Sequence, residues 1–184
     1  MKKAIVILLA AIISISASNA QKLFTRAGYI GFFSDTEMED IKADNNKVSC
    51  VLDAATGQFE FQALMRSFAF EKALMEEHFN ENYVESEKFP KSNFKGKVIN
   101  IGSVNLKADG SYAVKVTGDL TIHGVTKNIT VDGMIKVTDG KISCESKFKV
   151  NPNDYNITIP DVVKSNISNA IEVTVKCNFE EMKG

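Results

Sequence analysis

The chain has 184 residues, with 22 Lys and Arg against 23 Asp and Glu and a formal net charge of −1, so its length fits one domain or a small pair. This charge balance disfavours a nucleic-acid-binding protein. A hydrophobic content of 44% with 24% charged residues excludes a disordered chain, and three cysteines are too few for a disulfide scaffold.

The first twenty residues predict a secretory signal peptide. Lys2 and Lys3 provide a positive start, residues 4–13 form an unbroken apolar run, and small residues lead to a cleavage site after Ala20. The apolar run is too short to span a bilayer as a helix, and no later segment has ten consecutive apolar residues. We therefore expect a single domain over residues 21–184, periplasmic or secreted, without an integral membrane segment.

The next segments alternate apolar and polar residues with period two, which is the pattern of half-buried strands. Strands are predicted at residues 28–34, 48–52 and 59–65, with a turn at Thr56-Gly57 between the second and the third. Phe68 and Phe70 break this alternation. The third strand should therefore end or bulge near Arg66.

Residues 67–82 predict one short helix. Phe70 with Leu74 and Met75 with Phe79 are spaced i,i+4, and Glu and Ala are frequent. His78 lies among glutamates at helical spacing that could in principle hold a metal ion, but a solvated acidic face explains them without one, and no metal site is predicted.

The second half of the chain continues the alternation, and its turns allow the register to be predicted, because directly opposite residues must share a face. A turn at Asp139-Gly140 should place Val137 opposite Ile142 and Ile135 opposite Cys144. A turn at residues 108–110 should place Val98 opposite Leu120. A turn at residues 124–127 should place Leu120 opposite Val131. These pairs give an antiparallel meander with one continuous apolar face. Residues 151–169 form a long connection whose apolar residues could cover an opening.

Two cysteines fall on the inward faces of the last two strands. If Val150 opposes Ile171, Cys144 opposes Cys177. A disulfide and two buried thiols both remain open, as does a strand lying between them.

The fold class predicted from these elements is all-β. A meander of about eight strands can form a sandwich or close into a lipocalin-like barrel, and closure removes the free edges and encloses space for one small ligand. An outer-membrane barrel is the rival. The short helix near an opening, the absence of Trp, and the frequent Lys and Asp on the polar face favour a soluble barrel.

The motifs of common enzymes are missing from the sequence. It contains no Gly-x-Ser-x-Gly elbow, phosphate loop or dinucleotide fingerprint. We therefore predict a binding protein, not an enzyme, without a cofactor. The same apolar residues could instead pack one another as a filled core. The residues expected to line the cavity are Phe59, Phe61, Phe70, Leu74, Met75, Phe79, Phe94, Val98, Val114, Val116, Leu120, Val131, Ile135, Phe148, Val173 and Val175.

Three stretches resemble the YceI-like family of lipid- and polyisoprenoid-binding proteins. They are SFAFEKALMEEHFNENYVESEKFPKSNFKG at residues 67–96, GDLTIHGVTK at 118–127 and FKVNPNDYNITI at 148–159. The match covers almost all of the chain after the signal peptide. The resemblance implies an exported, extended lipocalin-like barrel that encloses a long apolar ligand, such as a polyprenyl lipid or an isoprenoid quinone, for carriage or storage. The alternative function is a structural or stress-related envelope protein with a packed core and no ligand.

The chain also departs from the family pattern. It has no Trp, and it reads MEEHF at residues 75–79, where many members carry Arg-Asp-x-His-Leu. A polar headgroup site is therefore not carried over. The opening GYIGFFS at residues 28–34 resembles a subgroup found in the Bacteroidetes.

Overall fold

The computed structural model describes residues 22–182, so the predicted signal peptide lies outside the described residues. Within this range the chain forms ten strands and one short α-helix, and no helix is long and apolar enough to cross a membrane. The elements are β1 (Lys22–Ser34), β2 (Ile41–Asp53), β3 (Gln58–Leu64), β4 (Ala69–Phe70), α1 (Ala73–His78), β5 (Lys91–Val98), β6 (Gly110–Ile122), β7 (Val125–Thr138), β8 (Lys141–Val150), β9 (Ile171–Asn178) and β10 (Glu180–Glu181).

Eight of the strands close into an antiparallel barrel. The order around the barrel is β1-β9-β8-β7-β6-β5-β3-β2, and β2 pairs back with β1. The short strands β4 and β10 pair with β2 and β1, respectively. Closure gives every long strand a partner on both sides, which removes the exposed edges of an open sheet. The predicted all-β barrel of about eight strands with one short helix is confirmed.

The most tightly packed part of the interior lies at the end of the barrel that carries the β7–β8 turn, which we call the lower end. Leu23, Leu52, Ile135 and Val137 are each at most 2% exposed there. The upper end carries the β6–β7 turn and α1. The alternation of each strand directs its apolar side chains inward at both ends.

The predicted β7–β8 hairpin is confirmed. Asp139 and Gly140 adopt positive φ angles of 50° and 72°, as a two-residue turn with the twist of the flanking strands requires. Val137 lies opposite Ile142, and Ile135 lies opposite Cys144.

The predicted β6–β7 turn is wrong. The chain turns at His123-Gly124, where φ is 49° and 74°, and Leu120 lies opposite Lys127 instead of Val131. A non-glycine residue rarely adopts the left-handed region, and here the imidazole of His123 is held on both of its nitrogens. These tertiary contacts support the tight turn.

The predicted hairpin at residues 108–110 is also wrong. β5 ends at Val98, which lies opposite Val116 instead of Leu120, and residues 99–109 form an irregular connection to β6. Asn100 continues the interstrand hydrogen bonding, because its Oδ1 accepts from the Lys115 amide at 2.9 Å and its Nδ2 donates to the Ala113 carbonyl at 3.0 Å. Both errors shift the register by an even number of residues, so the inward faces are those predicted.

Of the alternatives left open for the last two strands, the structure has direct pairing, with Val150 opposite Ile171 and Cys144 opposite Cys177. These two cysteines and Cys50 are free thiols. A hydrogen bond with Cys177, followed by burial, raises the pKa of the Cys144 thiol well above its ordinary value. Cys177 is buried and Cys144 is partly buried against the core, and both act as small apolar side chains.

The predicted helix over residues 67–82 is shorter and less regular than expected. The third strand ends at Leu64, and a 3-10 turn over Met65–Ser67 follows, which agrees with the break predicted near Arg66. After β4 and α1, a π-helical turn spans Phe79–Tyr83.

Candidate functional site

The upper half of the barrel encloses an apolar cavity of about 300 Å³. Of the eight barrel strands, all but β7 contribute inward-facing residues to its walls. The apolar strand residues that line this upper cavity are Ile30, Phe32, Ile41, Ala63, Leu120, Ile122, Phe148, Val150, Ile171 and Val173. A ligand in this space would meet hydrocarbon almost everywhere.

Residues 68–84 cover one side of the upper cavity. Phe32 of β1 contacts Phe68, Phe70 and Phe79, with ring centroids 5.5 to 5.7 Å apart, and Phe70 and Phe79 are 5.1 Å apart. Such distances are typical of packed aromatic pairs. These four rings, which we call the aromatic cluster, attach the helical segment to the barrel. The residues of this segment that line the cavity are Phe68, Phe70, Met75, His78, Phe79, Tyr83 and Val84.

The long connection between β8 and β9 covers the other side. A 3-10 turn over Pro152–Tyr155 begins it, where Asn151 Oδ1 accepts from the Asn153 amide at 3.0 Å. At its far end, the amide of Ser168 donates to Oγ of the buried Ser34 at 2.8 Å. The connection contributes Pro152, Tyr155, Ile157, Ile159, Val163 and Ile167 to the lining. The predicted covering role of residues 151–169 thus agrees with their position.

The polar groups of the upper cavity include a small network around Glu39. Lys72 Nζ lies 2.8 Å from Glu39 Oε1, and Asn166 Nδ2 donates to Glu39 Oε2 at 3.4 Å. The hydrogen bond from Lys72, together with that from Asn166, lowers the pKa of Glu39. Glu39 is therefore held as a carboxylate. Its side chain is 27% exposed. It joins the loop after β1 to the start of α1 and to the β8–β9 connection.

His123 connects three segments at the upper end. Its Nδ1 lies 3.1 Å from the carbonyl oxygen of Tyr155, which lines the cavity, and its Nε2 lies 2.6 Å from Glu85 Oε2. The ring also packs edge-on against Phe89 at 4.5 Å. A carbonyl can only accept a hydrogen bond, so Nδ1 carries a hydrogen. The β6–β7 turn, the β8–β9 connection and the segment after α1 thus meet at one side chain.

A second, smaller cavity of about 90 Å³ lies below the first. Phe59, Phe61 and Phe94 form an aromatic group on its wall, with centroid distances of 6.4 and 6.2 Å to Phe59. Ser146 also faces it, but its hydroxyl donates to the Asp132 carbonyl at 2.6 Å. The lower cavity is therefore apolar.

The predicted lining residues divide between the two cavities. Phe70, Met75, Phe79 and Val173 line the upper one, while Leu120 and Phe148 line both. The residues that line the lower cavity alone are Phe59, Phe61, Phe94, Val98, Val114, Val116, Val131, Ile135 and Val175.

The placement predicted for Leu74 is wrong, because it lines neither cavity and is 61% exposed. The predicted i,i+4 pair with Phe70 requires both residues to be helical. Phe70 instead lies in β4, and α1 begins only at Ala73. The inward face of the helix is set by Met75, His78 and Phe79, and Leu74 faces outward.

Sequence analysis missed much of the upper cavity. Ile30 and Phe32 alternate within the predicted first strand, and Ile157 and Ile159 alternate within the long connection. This period-two signal could have identified them as inward-facing. Glu39 and Tyr155 gave no such signal, since their positions depend on contacts between segments far apart in sequence.

Within residues 22–182, no group of three or more His, Cys, Asp or Glu side chains is arranged to hold a metal ion. The titratable side chains at the upper cavity include Glu39, whose carboxylate is bound to Lys72, and His78 on the helical cover. The arrangement suits the enclosure of an apolar chain with its polar end near Glu39.

Solved structures with the same fold come from several bacteria. A polyisoprenoid binding domain from Saccharophagus degradans, implicated in plant cell wall breakdown, is 15% identical over 89% of this chain and 99% of its own, with a TM-score of 0.75. BcnA of Burkholderia cenocepacia is 13% identical, covers 83% and 96%, and has a TM-score of 0.68. A YCEI protein of Campylobacter jejuni is 22% identical, covers 77% and 85%, and has a TM-score of 0.54.

No curated protein is similar enough in sequence to count as a match. The sequence model of the YceI-like domain, by contrast, matches residues 17–179. This range includes all eight strands of the barrel and the segments that cover the upper cavity. The chain therefore belongs to the YceI-like domain family.

Proposed function

We propose that the protein is an exported binding protein that encloses the apolar chain of a polyisoprenoid, an isoprenoid quinone or a similar lipid. The observation that carries this proposal is the upper cavity, whose volume of about 300 Å³ lies at the lower end of the range usual for ligand pockets, about 300 to 1,000 Å³. The relative from Saccharophagus degradans, described as a polyisoprenoid binding domain, supports the ligand class.

The distribution of polar groups supports an amphiphilic ligand held with its chain inside. The wall of the upper cavity is apolar, so the transfer of a hydrocarbon chain from water into this cavity is favourable. Glu39, Lys72 and Asn166 form the polar network at the mouth. A hydroxyl or carbonyl headgroup would lie beside this network and remain hydrated.

The same features favour binding over catalysis. Glu39 is held as a carboxylate by Lys72 and Asn166, and His78 lies on the covering helix. Together with the signal peptide predicted over residues 1–20, these positions of Glu39 and His78 support carriage or storage of the lipid outside the cytoplasm.

A packed-core envelope protein remains the second candidate, because the cavity below the upper one is small, about 90 Å³. The two functions differ in whether an amphiphile accompanies the purified protein. Native mass spectrometry and organic extraction should recover a lipid with a polyprenyl chain. Purified protein stripped of lipid should then take up a polyprenyl quinone. Recovery of no amphiphile and no uptake of quinone would contradict the proposal and favour the packed-core protein.

A further inference from the structure

Three side chains separate the two cavities inside the barrel. Ile30 on β1, Leu120 on β6 and Phe148 on β8 line both of them, and we call these three residues the neck. In the eight-strand order, β1 and β6 lie on opposite sides of the barrel and β8 lies midway between them. The three side chains therefore reach one level of the interior from different sides.

We propose that the neck sets the longest apolar chain that the protein binds. This inference rests on the proposed function. A chain that enters at the upper end binds more tightly with each carbon that it buries, because the transfer of apolar surface from water is favourable. It reaches the neck when the upper cavity, about 300 Å³, is filled. Further carbons find space only if a neck side chain moves.

The lower cavity is bounded by aromatic rings and by buried side chains of the lower end. Phe94 packs with Phe59 at its wall, and the ring of Phe94 lies over Gly96 and Gly118, which face each other across β5 and β6. Beyond this cavity lie buried residues of the lower end that do not line it, such as Leu23 and Val137, which are 1% and 2% exposed.

The narrow neck excludes a chain from the lower cavity, and the chemistry of the cavity wall does not. Its wall is apolar, including Val116 and Val131, and an apolar void of this kind stays free of water and accepts hydrocarbon. Removal of a neck side chain should therefore join the two cavities and make about 90 Å³ available to a longer ligand.

The test measures affinity for geraniol, farnesol, geranylgeraniol and geranylfarnesol by displacement of the fluorescent probe anilinonaphthalene sulfonate. For the wild-type chain, affinity should rise along this series and then stop rising at one length. Consider the alcohol that is one isoprene unit longer than this limit. It should bind Phe148→Ala at least about tenfold more tightly than it binds the wild type, because its extra carbons become buried. Phe148→Leu should give a smaller gain in the same direction.

A second substitution checks that the new space is the lower cavity. Val116 lines the lower cavity and not the upper one, so Phe148→Ala combined with Val116→Phe should return the length limit to that of the wild type. A limit that is unchanged in both Phe148 variants, with thermal melts showing that at least one is folded, would overturn the inference. So would a wild-type affinity that rises across the whole series. Failure of the wild type to bind any of these alcohols would instead contradict the proposed function itself.

Discussion

At the residue scale, two glycines determine how an aromatic side chain packs in the barrel. Gly96 and Gly118 face each other on β5 and β6, and a Cβ on Gly96 would lie 2.6 Å from Cζ of Phe94. The ring of Phe94 therefore occupies the space that two side chains would otherwise fill. The close approach of the two backbones requires glycine at both positions.

We expect Gly118→Ala to lower the free energy of unfolding by about 1–3 kcal/mol, because the new methyl group overpacks the interior. Its Cβ would lie 2.5 Å from the carbonyl oxygen of Lys95 and would also meet Gly96. Urea denaturation gives the measurement. Gly102→Ala is the matched control, since a Cβ there meets nothing within 4 Å. Equal effects of the two substitutions would contradict this account.

A tyrosine and an aspartate on the outer face of β1 and β2 form another residue-scale contact. The hydroxyl of Tyr29 donates to Asp44 Oδ1 at 2.6 Å. This hydrogen bond lowers the pKa of Asp44. Burial, and then the hydrogen bond to Asp44, raises the pKa of Tyr29 to about 12.

The stabilisation from Asp44 should depend on pH in one direction. Because its pKa is lower in the folded state, the stabilisation is complete above the unfolded pKa of about 3.9 and is lost as the pH falls through the folded value. Tyr29→Phe should cost about 0.5–1.5 kcal/mol at neutral pH. Urea denaturation of both proteins should show this difference shrinking between about pH 4 and pH 2. A difference that stays constant over that range would argue against the Asp44 bond as its source.

At the element scale, α1 depends on its contacts with the barrel. A helix of six residues has little stability of its own, and the aromatic cluster supplies its attachment through Phe79 and Phe32. Elements of low local stability are those that open most readily. We therefore predict that the segment over residues 67–82 gates ligand entry.

Phe79→Ala should speed the release of a bound fluorescent fatty probe more than it lowers the melting temperature of the ligand-free protein. The reason is that Phe79 contacts three other rings of the cluster and lines the upper cavity. Leu74→Ala is the matched control on the exposed face of the same helix. Stopped-flow dissociation rates and thermal melts make the comparison. An unchanged release rate with a large fall in melting temperature would show that the segment is part of the core.

The contacts of His123 also belong to this scale, because they join three elements through one ring. Its side chain is only 11% exposed, and its Nε2 lies 2.6 Å from Glu85 Oε2. His123→Ala should cost about 1–3 kcal/mol, since it leaves the Tyr155 carbonyl and Glu85 without this partner. A double-mutant cycle with Glu85→Ala, followed by urea denaturation, should give a favourable coupling energy. Additive effects would mean that the two side chains do not support each other.

At the scale of the whole molecule, the two ends of the barrel have different roles. Val137 at the lower end is 2% exposed and packs in the core, whereas Val173 lines the upper cavity. A buried side chain surrounded by neighbours contributes both transfer and packing energy, while one beside empty space contributes less.

Val137→Ala should therefore lower the free energy of unfolding by about 1.5–3 kcal/mol, and Val173→Ala by less than about 1 kcal/mol. Affinity for a prenyl alcohol should show the opposite order of effects. Val173→Ala should alter this affinity, and Val137→Ala should not. Urea denaturation of the ligand-free variants and probe displacement provide the two measurements. Equal losses of stability at both positions would indicate that the upper end is packed as tightly as the lower end.

The amino-acid sequence was enough to assign which side chains of the strands face inward. Strict alternation has a period of two, so Val98, Val116 and Leu120 face the interior whether their strands are paired as predicted or four residues away. It also determined the β7–β8 turn, because Asp139-Gly140 carries its own local preference for positive φ. The number of strands and their common apolar face limited the fold to a sandwich or a closed barrel.

The tertiary structure alone decided the register at two turns, the position of Leu74 and the division of the interior into two cavities. The turn at His123 depends on Glu85 and Tyr155, which lie far from it in sequence. An apolar stripe has the same pattern whether its side chains fill a core or surround a space. The difference depends on how far apart the strands lie and on which distant segments cover the end of the barrel, and neither is encoded in the local periodicity of any one strand.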